Sequence, residues 1–298
     1  MNVSVIVPTY NGVDSIPFLL ESLKKLQFKE FTLIVVVDGS TDQTLKFLNS
    51  IGNTEFHDLL IIDQANAGRA EARNRGVKSA KNGLLIFLDD DIIVPSNLLE
   101  IHIAHHTKNT DSILSIGSWM DSTRAKSSFD RYRLEMEDQW RKNQNLHGKS
   151  RVTKENLFFS GSNMSVSKSL FEDLGGLDSQ LKDNEDFDFA LRALLKGIDV
   201  YYDSTIKSIH NDMADFDAYL NRIVQYKNSY LDLKNLKPEY YLSEYKPANR
   251  SLLKTILLTI FKSIGGKKLY KTMLFKGLPY FAQKQIYDAI ISIELAKV

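Results

Sequence analysis

Within the first 90 residues, four short apolar runs rich in β-branched side chains, VSVIV (3–7), FTLIVVV (31–37), DLLII (58–62) and LLIFL (84–88), are separated by amphipathic, helix-patterned stretches. That rhythm confines the chain to βαβ units and a parallel sheet, because parallel neighbours need a crossover long enough to hold a helix. Each run is apolar at nearly every position. A strand with one wet face alternates instead, so these strands are expected in an α/β fold whose mostly parallel central sheet is flanked by helices on both sides.

After about residue 125 the texture changes to a charged helical stretch, SSFDRYRLEMEDQWRKNQN, then to the small and apolar segment NLFFSGSNMSVS. From about residue 213 the pattern is helical to the end, in at least three segments, with no internal repeat or low-complexity tract. The 298 residues, 43% of them hydrophobic, are enough for a large packed core. Lys and Arg total 38 against 37 Asp and Glu, a net charge of +1 that gives no reason to expect a nucleic-acid partner. The absence of cysteine excludes disulfides, thiolate metal sites and a cysteine nucleophile, and agrees with a cytoplasmic protein. Met1 leads directly into VSVIVP without a signal-peptide pattern, and no apolar run approaches the ~18 residues of a membrane span.

In an open parallel sheet, ligands bind beyond the carboxyl ends of the strands, near the point where strand order reverses. Polar clusters stand at those four positions: PTYNG, DGSTD, NAGR and DDD. Three adjacent carboxylates repel one another unless water or a cation intervenes. If the backbone stays extended through residues 87–91, Asp89 and Asp91 share one face and Asp90 points away, so the pair is expected to grip Mg²⁺ or Mn²⁺. In isolation such a triplet reads as a solvated turn before a helix; its place beside three other strand-end clusters favours the cation.

Asp38 stands where a carboxylate can accept hydrogen bonds from a base or a ribose, although Ser40 or Thr41 capping the next helix explains the same turn. Thr9, Tyr10 and Asn11 can line that pocket, and Asn11-Gly12 is equally a turn signal. Arg69 and Arg73 fall four apart on one helical face, suited either to phosphate or to salt bridges with the carboxylates. In DNEDFDFALRALLKG (183–197), Asp188 and Arg192 form a helix-supporting i, i+4 pair. Asp183 and Asp186 fit a capping box, yet a carboxylate held at a helix N-terminus can also serve as a base. His210 follows an expected strand and becomes interesting only if Asp91 approaches it. His102, His105 and His106 share a helix without the HExxH pattern of a zinc protease.

Over residues 2–212 the chain resembles the family 2 glycosyltransferases, inverting enzymes of the GT-A fold that use nucleotide sugars. The resemblance is carried, in order, by VSVIVPTYNG, VVVDGSTD, NAGRAEARNRG, FLDDDIIVP, FSGSNMSVSKSLFEDLGGLD and NEDFDFALRALLKG. It implies a Rossmann-like nucleotide-sugar half (1–125), an acceptor half (126–212) and a helical C-terminal extension (213–298). Pro8, Thr9, Tyr10, Asn11 and Asp38 would contact base and ribose, commonly of uridine, with Gly68, Arg69, Arg73, Asp89 and Asp90 completing the donor site. Asp89 and Asp91 would be the metal-binding DxD pair for Mn²⁺ or Mg²⁺, with His210 as a further ligand. Gly161, Ser162, Asn163 and Glu185 would lie near donor sugar and acceptor, and Asp186 would be the general base. The implied reaction moves a hexosyl unit from a UDP-sugar to a hydroxyl of a glycan or lipid-linked acceptor in surface polysaccharide synthesis, with inversion.

Other classes fit less well. A nicotinamide enzyme needs GxGxxG, yet no two of the 15 glycines are separated by one residue, and GxxxxGK[ST] is absent too. A non-catalytic nucleotide-sugar binding subunit would keep the pocket without turnover, which retention of Asp89, Asp91 and Asp186 disfavours. Residues 251–298 hold eight Lys against one Asp and one Glu. Basic helices with apolar faces are expected there, either lying on an anionic membrane surface, so that the protein is peripheral on its cytoplasmic side, or packing as a lid or oligomer contact.

Overall fold

The computed structural model of the protein describes residues 2–51, 55–81, 83–143, 148–154, 156–157, 159–211, 214–238 and 270–296. Residues 251–269, part of the basic tail, lie outside the described residues. The four expected strands form as β1 Val3–Thr9, β2 Phe31–Asp38, β3 Asp58–Gln64 and β4 Leu84–Leu88. Helices α1 Ile16–Lys24, α2 Thr44–Ser50 and α3 Arg69–Ser79 connect them. There follow β5 Ile92–Ile93, α4 Leu98–Lys108, β6 Ser112–Met120, α5 Ser128–Asn143, β7 Lys149–Arg151 and β8 Asn163–Ser167. The chain continues through α6 Lys168–Asp173, α7 Glu185–Leu195, β9 Asp199–His210, α8 Phe216–Leu236, α9 Met273–Lys276 and α10 Tyr280–Leu295. Among the described residues no helix is long and apolar enough to cross a membrane.

The strands make one sheet of order β3-β2-β1-β4-β8-β6-β9-β5, with β7 also on β9. Strands β1 to β4 pair in parallel, β6 runs parallel to β9, and β8 lies antiparallel between β4 and β6. The order reverses between β1 and β4, and PTYNG and DDD follow the carboxyl ends of those two strands.

Alternation of side chains sorts the residues into two cores. Val3, Val5 and Val7 of β1 join Leu33, Val35, Val37, Ile86 and Leu88 beneath α1 and α4. Ile6, Ile34, Val36, Leu85 and Phe87 face the other way, against Ala72 and Val77 of α3 and Phe189 and Ala193 of α7. Helix α1 follows from its sequence: Pro17 sits in the first turn, where a missing N–H costs nothing, and Ile16, Leu19, Leu20 and Leu23 recur on the buried side. The expectation of full cover fails for β3. As the edge strand it is only partly buried along its length, because it has a neighbour on one side alone.

The chain divides into two compact units, Met1–Asp121 with Trp140–Asp212, and Ser122–Gln139 with Met213–Val298. Residues 126–139, which the sequence groups with an acceptor half, and residues 122–125, which it groups with the nucleotide-sugar half, thus cluster with the C-terminal helices. Phe129 and Tyr132 are buried in an aromatic cluster with Phe216, Leu220, Phe275, Tyr287 and Ile290, where centroids of Phe129 and Phe216 stand 5.2 Å apart. Tyr132 also donates a 2.8 Å hydrogen bond from its hydroxyl to Asp288.

Candidate active site

The strand-end loops of the first unit are tied to one another before any ligand is considered. Asn11, at a left-handed φ of 52°, accepts from Thr41 N–H at 2.8 Å through its Oδ1, while its own N–H donates to Ser40 Oγ at 3.0 Å. Asp38 is buried, and its carboxylate accepts from Gln64 Nε2, Ala67 N–H and Gly68 N–H, each at 2.8 Å. Asp38 therefore shapes the loop entering α3, where Gly68 takes a φ of 88° that suits glycine. Pro8 and Thr9 are buried in β1, whereas Tyr10 stands 54% exposed at its end.

The strand ends at Leu88, so the extended backbone assumed through residue 91 does not form, and the three carboxylates make different contacts. Asp89 Oδ1 accepts from Arg73 Nη2 at 2.5 Å, and its backbone N–H donates to Ser162 O at 2.9 Å. Burial raises the Asp89 pKa, but Arg73 and then Arg69 outweigh it and hold the carboxyl below its usual range. Asp90 Oδ2 accepts from the Thr9 hydroxyl at 2.5 Å. Burial, with the charges of Asp91 and Asp89 added, pushes Asp90 up to about 7. Asp91 Oδ1 lies 3.5 Å from His210 Nε2, and its backbone carbonyl accepts from Asn211 N–H at 2.7 Å. The positive partner missing locally in the sequence is thus partly supplied by the polypeptide, from α3 and the end of β9.

Arg73 is almost fully buried and bridges two acids, donating from Nη1 to Glu185 at 2.6 Å as well as to Asp89. Arg69, whose side chain keeps 29% exposure, pairs through Nε with Glu185 at 2.7 Å and through Nη2 with Asp183. Both arginines are therefore salt-bridged, and Arg69 is the one with a solvent-facing edge. Burial, then Asp186, drive the Glu185 pKa up, against the two guanidiniums.

At the start of α7, Asn184 occupies the cap at a φ of 62° without a side-chain bond, and Asp183 turns to Arg69. Asp186, in the first turn, accepts from Gly161 N–H at 2.7 Å and from Phe187 N–H at 2.8 Å. Gly161 has to be small: a Cβ there would stand 3.1 Å from Asp186 Cβ and 3.3 Å from its Oδ2. The cluster leaves Asp186 half-buried and oriented by two N–H groups.

Asn163 proves less accessible than a sugar contact requires. Asn163 is fully buried; its Oδ1 accepts from His102 Nε2 at 2.9 Å, and its Nδ2 donates to Ser208 Oγ at 2.9 Å. These bonds make Asn163 a support of the segment from within. That bond makes Nε2 of His102 the protonated nitrogen, so Nδ1 accepts from Ser165 Oγ at 2.7 Å, and Ser165 accepts in turn from His106 Nε2 at 2.8 Å. His105 Nε2 meets Ser112 Oγ at 2.9 Å. Burial first of all pulls these imidazoles down, His102 and His105 to about 3 and His106 to about 4. The i, i+3, i+4 spacing of the three was visible in the sequence; their serine and asparagine partners on β6 and β8 were not.

Whether a divalent cation fits can be asked of these donors. Among the described residues no group of three or more His, Asp or Glu side chains converges on one point. Asp91 and His210 are the one oxygen and one nitrogen donor that the site brings together, with Asp89 drawn off by Arg73. Two protein ligands suffice for an ion that takes its remaining ligands from a diphosphate and water.

The sequence model of glycosyl transferase family 2 matches residues 4–175, and the chain belongs to that family. The segment holding Asp183, Glu185, Asp186 and His210 follows the matched residues. An uncharacterized glycosyltransferase of Rickettsia typhi is 26% identical over 286 residues, covering 91% of this chain and 83% of that protein. The poly(ribitol-phosphate) β-N-acetylglucosaminyltransferase TarS of Staphylococcus aureus is 34% identical over 118 residues, 39% of this chain and 21% of its own length. Among solved structures, S. aureus TarS 1–349 in complex with UDP aligns with a TM-score of 0.56 at 21% identity, covering 100% of this chain and 91% of that one. The mannosyltransferase PcManGT of Pyrobaculum calidifontis, in complex with GDP-Man and Mn²⁺, aligns with a TM-score of 0.62 at 19% identity, covering 99% and 87%.

Proposed function

We propose that the protein transfers a sugar from a UDP-sugar to a hydroxyl of a glycan or lipid-linked acceptor, with inversion at the anomeric carbon, in the assembly of a surface polysaccharide. The observation that carries this reading is the fixed carboxylate of Asp186, held by Gly161 N–H and the start of α7 beside the Arg73 network. In the proposed step, Asp186 takes the proton of the acceptor hydroxyl as that oxygen bonds to the anomeric carbon, while the bond to the diphosphate oxygen breaks on the opposite face. Tyr10 and Asn11 would line the base, and Asp38 would act on base and ribose partly through the loop that it organises. The exposed edge of Arg69 would meet the diphosphate, with Gly161 and Ser162 beneath the sugar.

Asp91 and His210 would hold Mn²⁺ or Mg²⁺, and the mixed oxygen and nitrogen set favours Mn²⁺. Such an ion would neutralise charge growing on the leaving diphosphate. Residues 1–212, without 122–139, would form the transfer domain. The test is release of nucleoside diphosphate from a panel of nucleotide sugars, with and without Mn²⁺. Asp186→Asn should lower turnover by ~10²–10⁴-fold with little change in donor KM. Turnover that survives the substitution removes the base assignment, and donor binding without turnover by the wild type favours a non-catalytic subunit.

A further inference from the structure

In the second unit, the segment joining α9 to α10 reads MLFKGLPYF (273–281), with Lys276 its one charge. Its conformation is held from inside. Phe275 is buried, with its ring 5.3 Å from that of Tyr287, and its N–H donates to Thr272 Oγ1 at 3.2 Å. Gln283 Nε2 donates to Leu278 O at 2.8 Å, closing the turn that starts α10. With Phe275 turned in, Met273 and Phe281 are turned out, 90% and 72% exposed, the two most exposed large hydrophobic side chains among the described residues. Lys276 is exposed between them in sequence, and Lys271, also exposed, reaches Asp217 at 2.5 Å.

We infer that Met273 and Phe281 are the insertion side chains by which this segment docks on an anionic lipid bilayer. Two large apolar groups presented to water by an anchored turn gain by entering the acyl boundary, while lysine stems can lie along that boundary with their ammonium groups at the phosphates. The sign of the charge selects the occupant. Residues 251–298 carry eight Lys against two acids, whereas the whole chain nets only +1; among the described residues Lys271 pairs with Asp217 and Lys284 with Glu135, and Lys276 is exposed. Juxtamembrane lysines are attracted to an anionic leaflet, and a neutral protein partner has no use for them. The inference goes beyond the transfer reaction, and for its biological use it rests on the lipid-linked form of the proposed acceptor.

The test is flotation of the full chain with phosphatidylcholine vesicles and with vesicles containing phosphatidylglycerol, at low and high salt. The expected result is capture by the anionic vesicles, weakened by salt, and little capture by phosphatidylcholine alone. Met273→Ser combined with Phe281→Ser should reduce the captured fraction at least ~10-fold, two exposed side chains each contributing part of a hydrophobic transfer. Lys276→Glu should weaken capture by anionic vesicles in particular, and Leu60→Ser, on the β3 edge, should leave it unchanged. No flotation, or equal capture of wild type and double variant, overturns the inference. So does concentration-dependent self-association, lost in the double variant, in place of flotation. Nucleoside diphosphate release, measured in parallel without vesicles, reports on the transfer reading separately.

Discussion

Arg73→Met tests whether the buried ion cluster is the element that holds the site together. Arg73 has almost no solvent contact, and its guanidinium stands 2.5 Å from Asp89 and 2.6 Å from Glu185. Methionine preserves much of the stem and removes the charge. Glu185 keeps Arg69 at 2.7 Å, so it is not stranded altogether, but Asp89 loses its short contact. Removing one partner of a buried pair costs ~3–5 kcal/mol, mostly through the uncompensated charge left behind. That is a large fraction of the ~5–15 kcal/mol typical of a domain, so urea unfolding followed by circular dichroism resolves it.

The cause of the loss separates this account from a simple packing defect. If stranded charge is responsible, Glu185→Gln placed on Arg73→Met should return part of the loss, with a coupling of roughly 0.5–3 kcal/mol as for residues in one network. A cavity would give additive losses instead. The pH dependence adds a second signature. Burial already raises the Glu185 pKa, and losing one guanidinium raises it further, so the folded variant takes up a proton more readily than the unfolded chain. The penalty should therefore shrink as pH falls from mildly alkaline to mildly acidic. An Arg73→Met loss below ~1 kcal/mol, additive with Glu185→Gln and flat with pH, would refute the reasoning.

Two further outcomes follow from the same geometry. Gly12→Ala would put a Cβ into the Asp90 carboxylate and the Thr9 hydroxyl, so their hydrogen bond must open; a stability loss of ~1–3 kcal/mol and a weakened donor KM are expected, and a neutral variant would place Gly12 elsewhere. His102, His105 and His106 have folded values of about 3, 3 and 4 against 6.5, so the unfolded chain binds protons that the native chain refuses. Stability from these groups is complete above 6.5 and is lost as pH falls toward 4, while Asp90, raised to about 7, contributes in the opposite sense. Three protons refused outweigh those retained by Asp90 and Glu185, so the urea midpoint should fall between pH 6.5 and 4; a flat midpoint removes the buried-histidine account.

The strands that were legible in the sequence are those whose burial is complete on both faces, because a run such as LLIFL leaves no other period to read. Strand β3 misled through the same logic: DLLII looks like a covered strand, and only the sheet order reveals it as an edge. Strand β8, NMSVS, carries too little apolar signal to mark itself, and its pairing with β4 is antiparallel across a long interval. In the site, the helix start that carries Asp186 could be read, and salt bridges from Arg73 to carboxylates were one of two readings; which carboxylates could not, since Asp89 lies 16 residues away along the chain and Glu185 lies 112. The split of 122–139 from its neighbours was also hidden, because the charged face of α5 gives no hint that Phe129 and Tyr132 pack on the C-terminal helices.

Three adjacent carboxylates can coexist here because each is placed in a different environment by a different part of the chain. Asp89 is neutralised by a guanidinium from α3, Asp90 is bound to a hydroxyl at the end of β1 and raised toward neutrality, and Asp91 faces an imidazole at the end of β9. Each contact ties the switch point to an element distant in sequence. A charge change at any one of them therefore alters the field at the other two, which stand one or two residues away.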